Sequence, residues 1–154
     1  MALKMDRQVD AVELGYFLNE VAERGVVVSA ATAGSGIAMD SPINVATVAA
    51  VATNRRPLGV LMNDFVDIDR TRTPLNWMKD QHAVGDKCTI LTKGWIVTNK
   101  VLGAASGTGH AVLAESGNIR EVAYGTAETS AAPRVGRFRS GKSEEGFAKV
   151  YIDL

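Results

Sequence analysis

Val135-Gly136-Arg137-Phe138-Arg139-Ser140-Gly141-Lys142-Ser143, and beyond it Phe147-Ala148-Lys149-Val150-Tyr151-Ile152-Asp153-Leu154, is the stretch on which the fold class turns. Gly136 to Ser143 fits the P-loop pattern, Gly, four residues, then Gly-Lys-Ser. That motif works only where a buried strand runs into a helix whose N-terminal amides cradle phosphate. Eleven residues, Glu144 to Leu154, follow the serine. They leave no room for a helix, a second parallel strand and a magnesium-holding aspartate. The apolar residues after Gly146 instead alternate with period two, as in a strand. The segment therefore reads as a strand over Val135–Ser140, a turn over Gly141–Gly146 and a closing strand over Ala148–Leu154. Lys142 is expected to be a solvated turn residue or a partner contact.

The β reading extends upstream. Gly25–Ala30 is a strand, and Ile43–Ala52, rich in Val, Thr and Ala, fits a strand or a short buried helix, with Val45, Thr47 and Val48 favouring the strand. Asn54-Arg55-Arg56-Pro57 turns the chain into Leu58–Met62, a strand apolar enough to be buried on both faces. Phe65–Asp69 extends or re-pairs it, and Pro74–Gly85 is a longer excursion holding Trp77 and His82. Lys87–Thr92 and Trp95–Asn99 flank Lys93-Gly94, the signature of a hairpin with a two-residue turn. Gly103–Gly109 is a loop of small residues. His110–Ala114 and Ile119–Tyr124 are further strands, and Gly125–Pro133 connects them to the C-terminal pair. About nine short strands at this spacing predict a mainly β fold, a compact barrel or sandwich. Arg56-Pro57-Leu58-Gly59-Val60 and Pro133-Arg134-Val135-Gly136-Arg137 echo one another, each with a glycine inside a strand. Such a glycine marks a bulge or a close backbone approach.

Residues 1–24 differ. Leu14, Phe17, Leu18 and Val21 fall at i, i+3, i+4 and i+7, which predicts one face of a short helix ending at Gly25. The expected division is an N-terminal arm or short helix over 1–24 and a β-rich domain over 25–154. The arm either packs on its own core or reaches a neighbouring subunit, and its removal should leave a folded β core.

At 154 residues the chain can bury its own core. Its 17 basic residues balance 17 acidic ones, against the basic excess of a general nucleic-acid binder. The single cysteine, Cys88, excludes an internal disulfide and reads as a buried, inert thiol on a strand, in keeping with a reducing compartment. No secretory leader is expected, and no apolar run reaches the length of a membrane span.

Catalytic chemistry is not legible. His82 and His110 lack the spacing of zinc ligands. Asp67-Ile68-Asp69 begins like a calcium loop, but Arg72 stands where its glycine belongs and Met78 where its glutamate belongs. It reads as a solvated or inter-subunit cluster of Asp67, Asp69, Arg70 and Arg72. Gly34-Ser35-Gly36 and Gly107-Thr108-Gly109 are too short for dinucleotide fingerprints. No serine elbow and no carboxylate pair stand out, so no catalytic, cofactor or metal residues are assigned, and no enzyme is expected. Two basic groups remain: Arg55-Arg56 in a turn, and Arg134, Arg137, Arg139 and Lys142 along the last hairpin, where alternation puts Arg137 and Arg139 on one face. They are either a solvated edge that resists aberrant pairing or a surface for an acidic partner. Aromatic residues interleaved for single-stranded nucleic acid amount to Phe138 and Phe147.

Several phrases together resemble the small head-decoration, or cement, proteins of tailed bacteriophages. They are Pro57-Leu58-Gly59-Val60-Leu61, Asp67-Ile68-Asp69, Arg72-Thr73-Pro74-Leu75-Asn76, Val84-Gly85-Asp86-Lys87 and Lys93-Gly94-Trp95-Ile96-Val97-Thr98-Asn99. Val135-Gly136-Arg137-Phe138, Gly146 to Val150 and the N-terminal Tyr16 to Val26 add to the likeness, whereas Ile43–Thr53 matches no such phrase. The resemblance implies a non-enzymatic virion structural protein that is β-rich and homotrimeric. It would be made in the host cytoplasm and sit on the outer capsid surface, bridging major capsid protein subunits of the expanded head. It implies no cofactor, no membrane and no specific nucleic acid. Under that reading Leu14, Tyr16, Phe17, Arg24, Arg55, Arg56, Arg137 and Arg139 are the expected capsid or inter-subunit contacts. A tail or connector component and an oligonucleotide-binding β-barrel are the alternatives.

Overall fold

The computed structural model describes residues 3–4, 6–31, 44–48, 50–62, 67–68, 78–79, 81–126 and 131–154. The strands among them are β1 (Gln8–Leu18), β2 (Ala22–Glu23), β3 (Val27–Ala31), β4 (Val45–Thr47), β5 (Pro57–Met62), β6 (Asp67–Ile68) and β7 (Met78–Lys79). They continue with β8 (Gln81–His82), β9 (Lys87–Thr98), β10 (Val101–Leu102), β11 (His110–Leu113), β12 (Ile119–Val122), β13 (Arg134–Phe138) and β14 (Ala148–Asp153). Among the described residues the only helical element is a single 3-10 turn at Glu115–Gly117. The fold is mainly β, as the composition and turn spacing predict.

Ten strands form one sheet in the order β1-β4-β3-β5-β9-β14-β13-β11-β12-β10, and β1 also pairs with β9. That last pairing brings the ladder back to its start, so β1, β4, β3, β5 and β9 make a closed circuit of hydrogen bonding. Every strand of the circuit sends a side chain into one small apolar cluster. Leu18 and Tyr16 come from β1, Ala46 from β4, Val28 from β3, Leu61 from β5, and Cys88 and Ile90 from β9. The alternate residues of three of those strands, Val27, Val60, Met62 and Leu91, face a second and larger cluster. There they meet Ile96, Val101, Ala111, Leu113, Ile119, Val135, Phe138, Val150 and Ile152. Because side chains alternate across a strand, β5 lies between two cores. This is why Val60, Leu61 and Met62 are all buried, as the unbroken apolar run predicts.

Several sequence expectations are corrected. The helix over Leu14–Val21 does not form, because β1 is an extended strand that hydrogen-bonds along β9 from Gln8↔Trp95 to Phe17↔Lys87. Its supposed apolar face is split: Leu18 is fully buried, while Leu14 and Val21 are each 54% exposed. Leu3, Leu18 and Ala22 belong to the two cores, so residues 1–24 share their packing with the rest of the chain. Deleting them would strip β9 of a partner and open both clusters.

The hairpin at Lys93-Gly94 does not form either, since β9 runs through it. Lys93 faces Ala11 of β1 and Asp153 of β14, while Gly94 faces Val9 and Ile152. Paired on both sides, the two residues cannot turn. Glycine still has a reason to be there: φ at Gly94 is 140°, and a Cβ would overlap the Gln8 carbonyl. The echo between Gly59 and Gly136 has the expected cause. A Cβ at either position would strike a carbonyl of the neighbouring strand, Leu91 for Gly59 and Tyr151 for Gly136. Asp69, Arg70 and Arg72, Gly34 to Gly36, and Trp77 lie outside the described residues, as does the side chain of Asp67.

Candidate interaction surface

The P-loop-like segment holds the fold together through contacts of its own. β13 ends at Phe138, no helix follows Ser143, and the chain turns at Glu144–Gly146 into β14. The Ser143 amide donates to the Phe147 carbonyl at 2.8 Å, and its hydroxyl oxygen accepts from the Phe147 amide at 3.1 Å. Lys142 Nζ donates to the carbonyls of Val101 at 2.9 Å and Gly103 at 3.2 Å. Lys142 is solvent-exposed, as expected of a turn residue, and its ammonium also clasps the last turn to β10.

The loop it clasps is held from the other side by Glu121. Its carboxylate accepts from the amides of Ser106, Gly107, Thr108 and Gly109 and from the Ser106 hydroxyl. Successive amides converging on one point form a nest for an anion, and here the anion is the protein's own. Desolvation pushes the Glu121 carboxyl up, but donation from Gly109, Ser106 and Thr108 outweighs it and holds the group below its ordinary value. Cys88 is buried, with its thiol directed at the Tyr16 carbonyl at 3.3 Å. Desolvation pushes it up to about 12; a backbone hydrogen bond at Cys88 opposes the shift and the charge of Asp86 adds to it. It remains a protonated, inert thiol, as expected.

The chemistry on the outside lies across β13, β14, β9 and β1. Pairing sets Arg137, Tyr151, Trp95 and Gln8 in one transverse row. Arg137 and Arg139 share a face, as alternation predicts, and both guanidinium groups sit over the Tyr151 ring, 5.2 and 5.0 Å from its centroid. Lys149, two residues from Tyr151, places its ammonium 3.4 Å from the centre of Trp95. Trp95 Nε1 donates to Gln8 Oε1 at 2.9 Å. Three cations on two rings make a positively charged patch whose side chains are held by packing, each contact worth about 0.5–1 kcal/mol at an exposed site.

No protein-family model and no curated protein matches this chain.

The residues singled out from sequence fall into separate groups. Arg137 and Arg139 are brought together on the patch. Arg55 and Arg56 are exposed in the turn before β5, which β9 and β14 separate from β13. Arg24 is half-buried in the turn before β3. On β1, Leu14 is exposed, whereas Tyr16 packs on the smaller core and Phe17 is half-buried. Phe138 is buried in the larger core, and Phe147 lies under Lys4, whose ammonium is 4.4 Å from its centroid. Neither is an open platform for a base. Sequence reasoning missed Trp95, Lys149 and Tyr151. The alternation Lys149-x-Tyr151 was a signal that those two share a face, but the register that sets them beside Arg137 and Trp95 is tertiary.

Proposed function

We propose that this chain is a non-enzymatic structural protein of the capsid-decoration type. It binds the outer surface of the major capsid protein as a homotrimer and stabilises the expanded head by bridging neighbouring subunits. In this reading the closed circuit of β1, β4, β3, β5 and β9 is a small barrel, and the remaining strands of the main sheet form a layer packed against it. The observation that carries the proposal is β1. Residues 8–15 are exposed on both faces of that strand, and Val9, Val12 and Leu14 are 47%, 39% and 54% exposed. Among the described residues its edge away from β9 has a strand partner only at Phe17 and Leu18. An extended segment with open backbone groups and solvent-facing valine and leucine suits addition to a neighbouring surface. The Arg137, Arg139 and Lys149 patch supplies charge for an acidic partner. Several copies each contributing a modest interface gain avidity, and binding only the expanded shell stabilises that shell by linkage.

The test is co-sedimentation of purified protein with expanded shells assembled from the major capsid protein. The full chain should decorate them. The Val9→Ser, Val12→Ser, Leu14→Ser triple variant should remain folded and lose about tenfold or more in affinity, since three partly exposed apolar side chains are removed from the interface. Full binding by the triple variant, or no binding by the full chain, would sink the proposal. The oligonucleotide reading gains Trp95 and Tyr151 beside three cations, but both rings are already engaged by those cations. Salt-dependent binding of single-stranded DNA, abolished by Arg137→Gln with Arg139→Gln, would favour it instead.

A further inference from the structure

Arg137 and Arg139 are both exposed, and the Arg139 amide carries the ladder past β13 by donating to the Lys149 carbonyl at 2.8 Å. The Lys149 amide donates in turn to the Ser140 hydroxyl oxygen at 2.9 Å. Three cations thus stand at neighbouring positions of two paired segments. Carboxylates elsewhere on the same strands and turn are already engaged. Asp153, two residues beyond Tyr151, is 3.9 Å from Lys93, and Glu145 is 3.2 Å from Lys4. Asp10 on β1 accepts from Gln8 Nε2 at 2.9 Å. Among the described residues, no carboxylate lies within ion-pair distance of Arg137, Arg139 or Lys149.

The rings decide what kind of anion fits. Tyr151 and Trp95 each carry a cation, so neither is an open platform for a base. Three cations also release few counterions from a nucleic acid, which leaves that association weak. Carboxylates suit the site better. Both guanidinium groups are held over one ring, and a planar group held in place offers forked N–H donors to a carboxylate at little further entropic cost. Their spacing adds a second match. Side chains two residues apart along a strand share a face and repeat at about 7 Å. An extended peptide with an acid at every second residue repeats at the same interval, so its carboxylates meet Arg137 and Arg139 in step.

We propose that this face docks an extended acidic segment of a partner protein, with carboxylates two residues apart seated on Arg137 and Arg139 and a further one met by Lys149. The inference rests on the patch being the charged part of the proposed interface, and it names the chemistry that part recognises.

The test is an NMR titration of the full-length protein with a blocked peptide of alternating Glu and Ser. Saturable shifts should centre on 95, 137–139 and 149–151. Arg137→Gln with Arg139→Gln, both at exposed positions, should weaken the peptide about tenfold or more, because two charge-assisted contacts are lost. Arg55→Gln with Arg56→Gln removes the same charge from the turn before β5 and should change affinity by less than about twofold, since a distant exposed charge acts only through screened attraction. A peptide with the same number of glutamates three residues apart, which an extended chain sends to opposite faces, should bind several-fold more weakly. The proposal is overturned if the alternating peptide does not saturate by about 5 mM. It is equally overturned if the wider spacing binds as well, if the Arg55 and Arg56 pair matters as much as the Arg137 and Arg139 pair, or if an oligothymidylate of equal charge binds more tightly than the peptide. Shell decoration by a protein that ignores the peptide would overturn this inference alone, whereas peptide binding by a protein that ignores shells would overturn the capsid reading alone.

Discussion

Replacing Lys142 by Met keeps the length and apolar stem of the side chain and removes only its charge and donors. In the folded protein this deletes two ammonium–carbonyl hydrogen bonds, to Val101 and Gly103. A bond to a charged group contributes about 1.5–3 kcal/mol where it is shielded from solvent. The Val101 bond is part-buried and the Gly103 bond exposed, so water replaces much of the second. The net loss should be about 1–2 kcal/mol, equivalent to about 3–6 °C in Tm for a domain of this size. Thermal unfolding followed by circular dichroism measures it directly. Because the ammonium is already bonded to carbonyls of the chain itself, millimolar Mg-ATP or Mg-GTP should leave the wild-type Tm unchanged. A Lys142→Met variant as stable as wild type would refute the clasp. A nucleotide-dependent rise in Tm, lost in the variant, would restore the phosphate-binding reading of Gly136 to Ser143.

Three further outcomes are expected. Gly136→Ala drives a methyl into the Tyr151 carbonyl and must push β14 from β13, costing about 3 kcal/mol or more, whereas Gly15→Ala, with open space around its Cβ, should be neutral or slightly stabilising; paired urea melts compare them. Glu121 has a folded pKa below its ordinary 4.5, so its contribution is present above that pH and lost as pH falls through the folded value. Wild type should therefore exceed Glu121→Gln in Tm at pH 7 and converge with it as pH falls through the depressed folded value, and a gap that persisted in stronger acid would contradict the amide nest. Cys88, with its thiol pushed up to about 12, should resist iodoacetamide in native buffer and react only on unfolding, which mass spectrometry of the alkylated protein would show.

The β class, the strand over the apolar run at Leu58–Met62, the closing hairpin and the close approach at Gly136 were all readable from residues 1 to 154 in order. Each is a local matter: alternation, a turn residue between apolar runs, a missing side chain where backbones meet. The same local grammar misled at Lys93-Gly94 and at Leu14–Val21. A Lys-Gly pair that could turn is instead held straight by β1 and β14 on its two edges. A segment whose apolar spacing suits a helix is extended because β9 offers it a hydrogen-bonding edge. Register was beyond reach for the same reason. Whether Tyr151 stands beside Arg137 and Trp95, or His110 beside Arg137, depends on pairings between residues tens of positions apart. Residue order alone shows which side chains can face outward together along one strand. Which strands lie side by side is a tertiary matter, because that choice is made by hydrogen-bonded pairings and apolar packing between segments far apart in the chain.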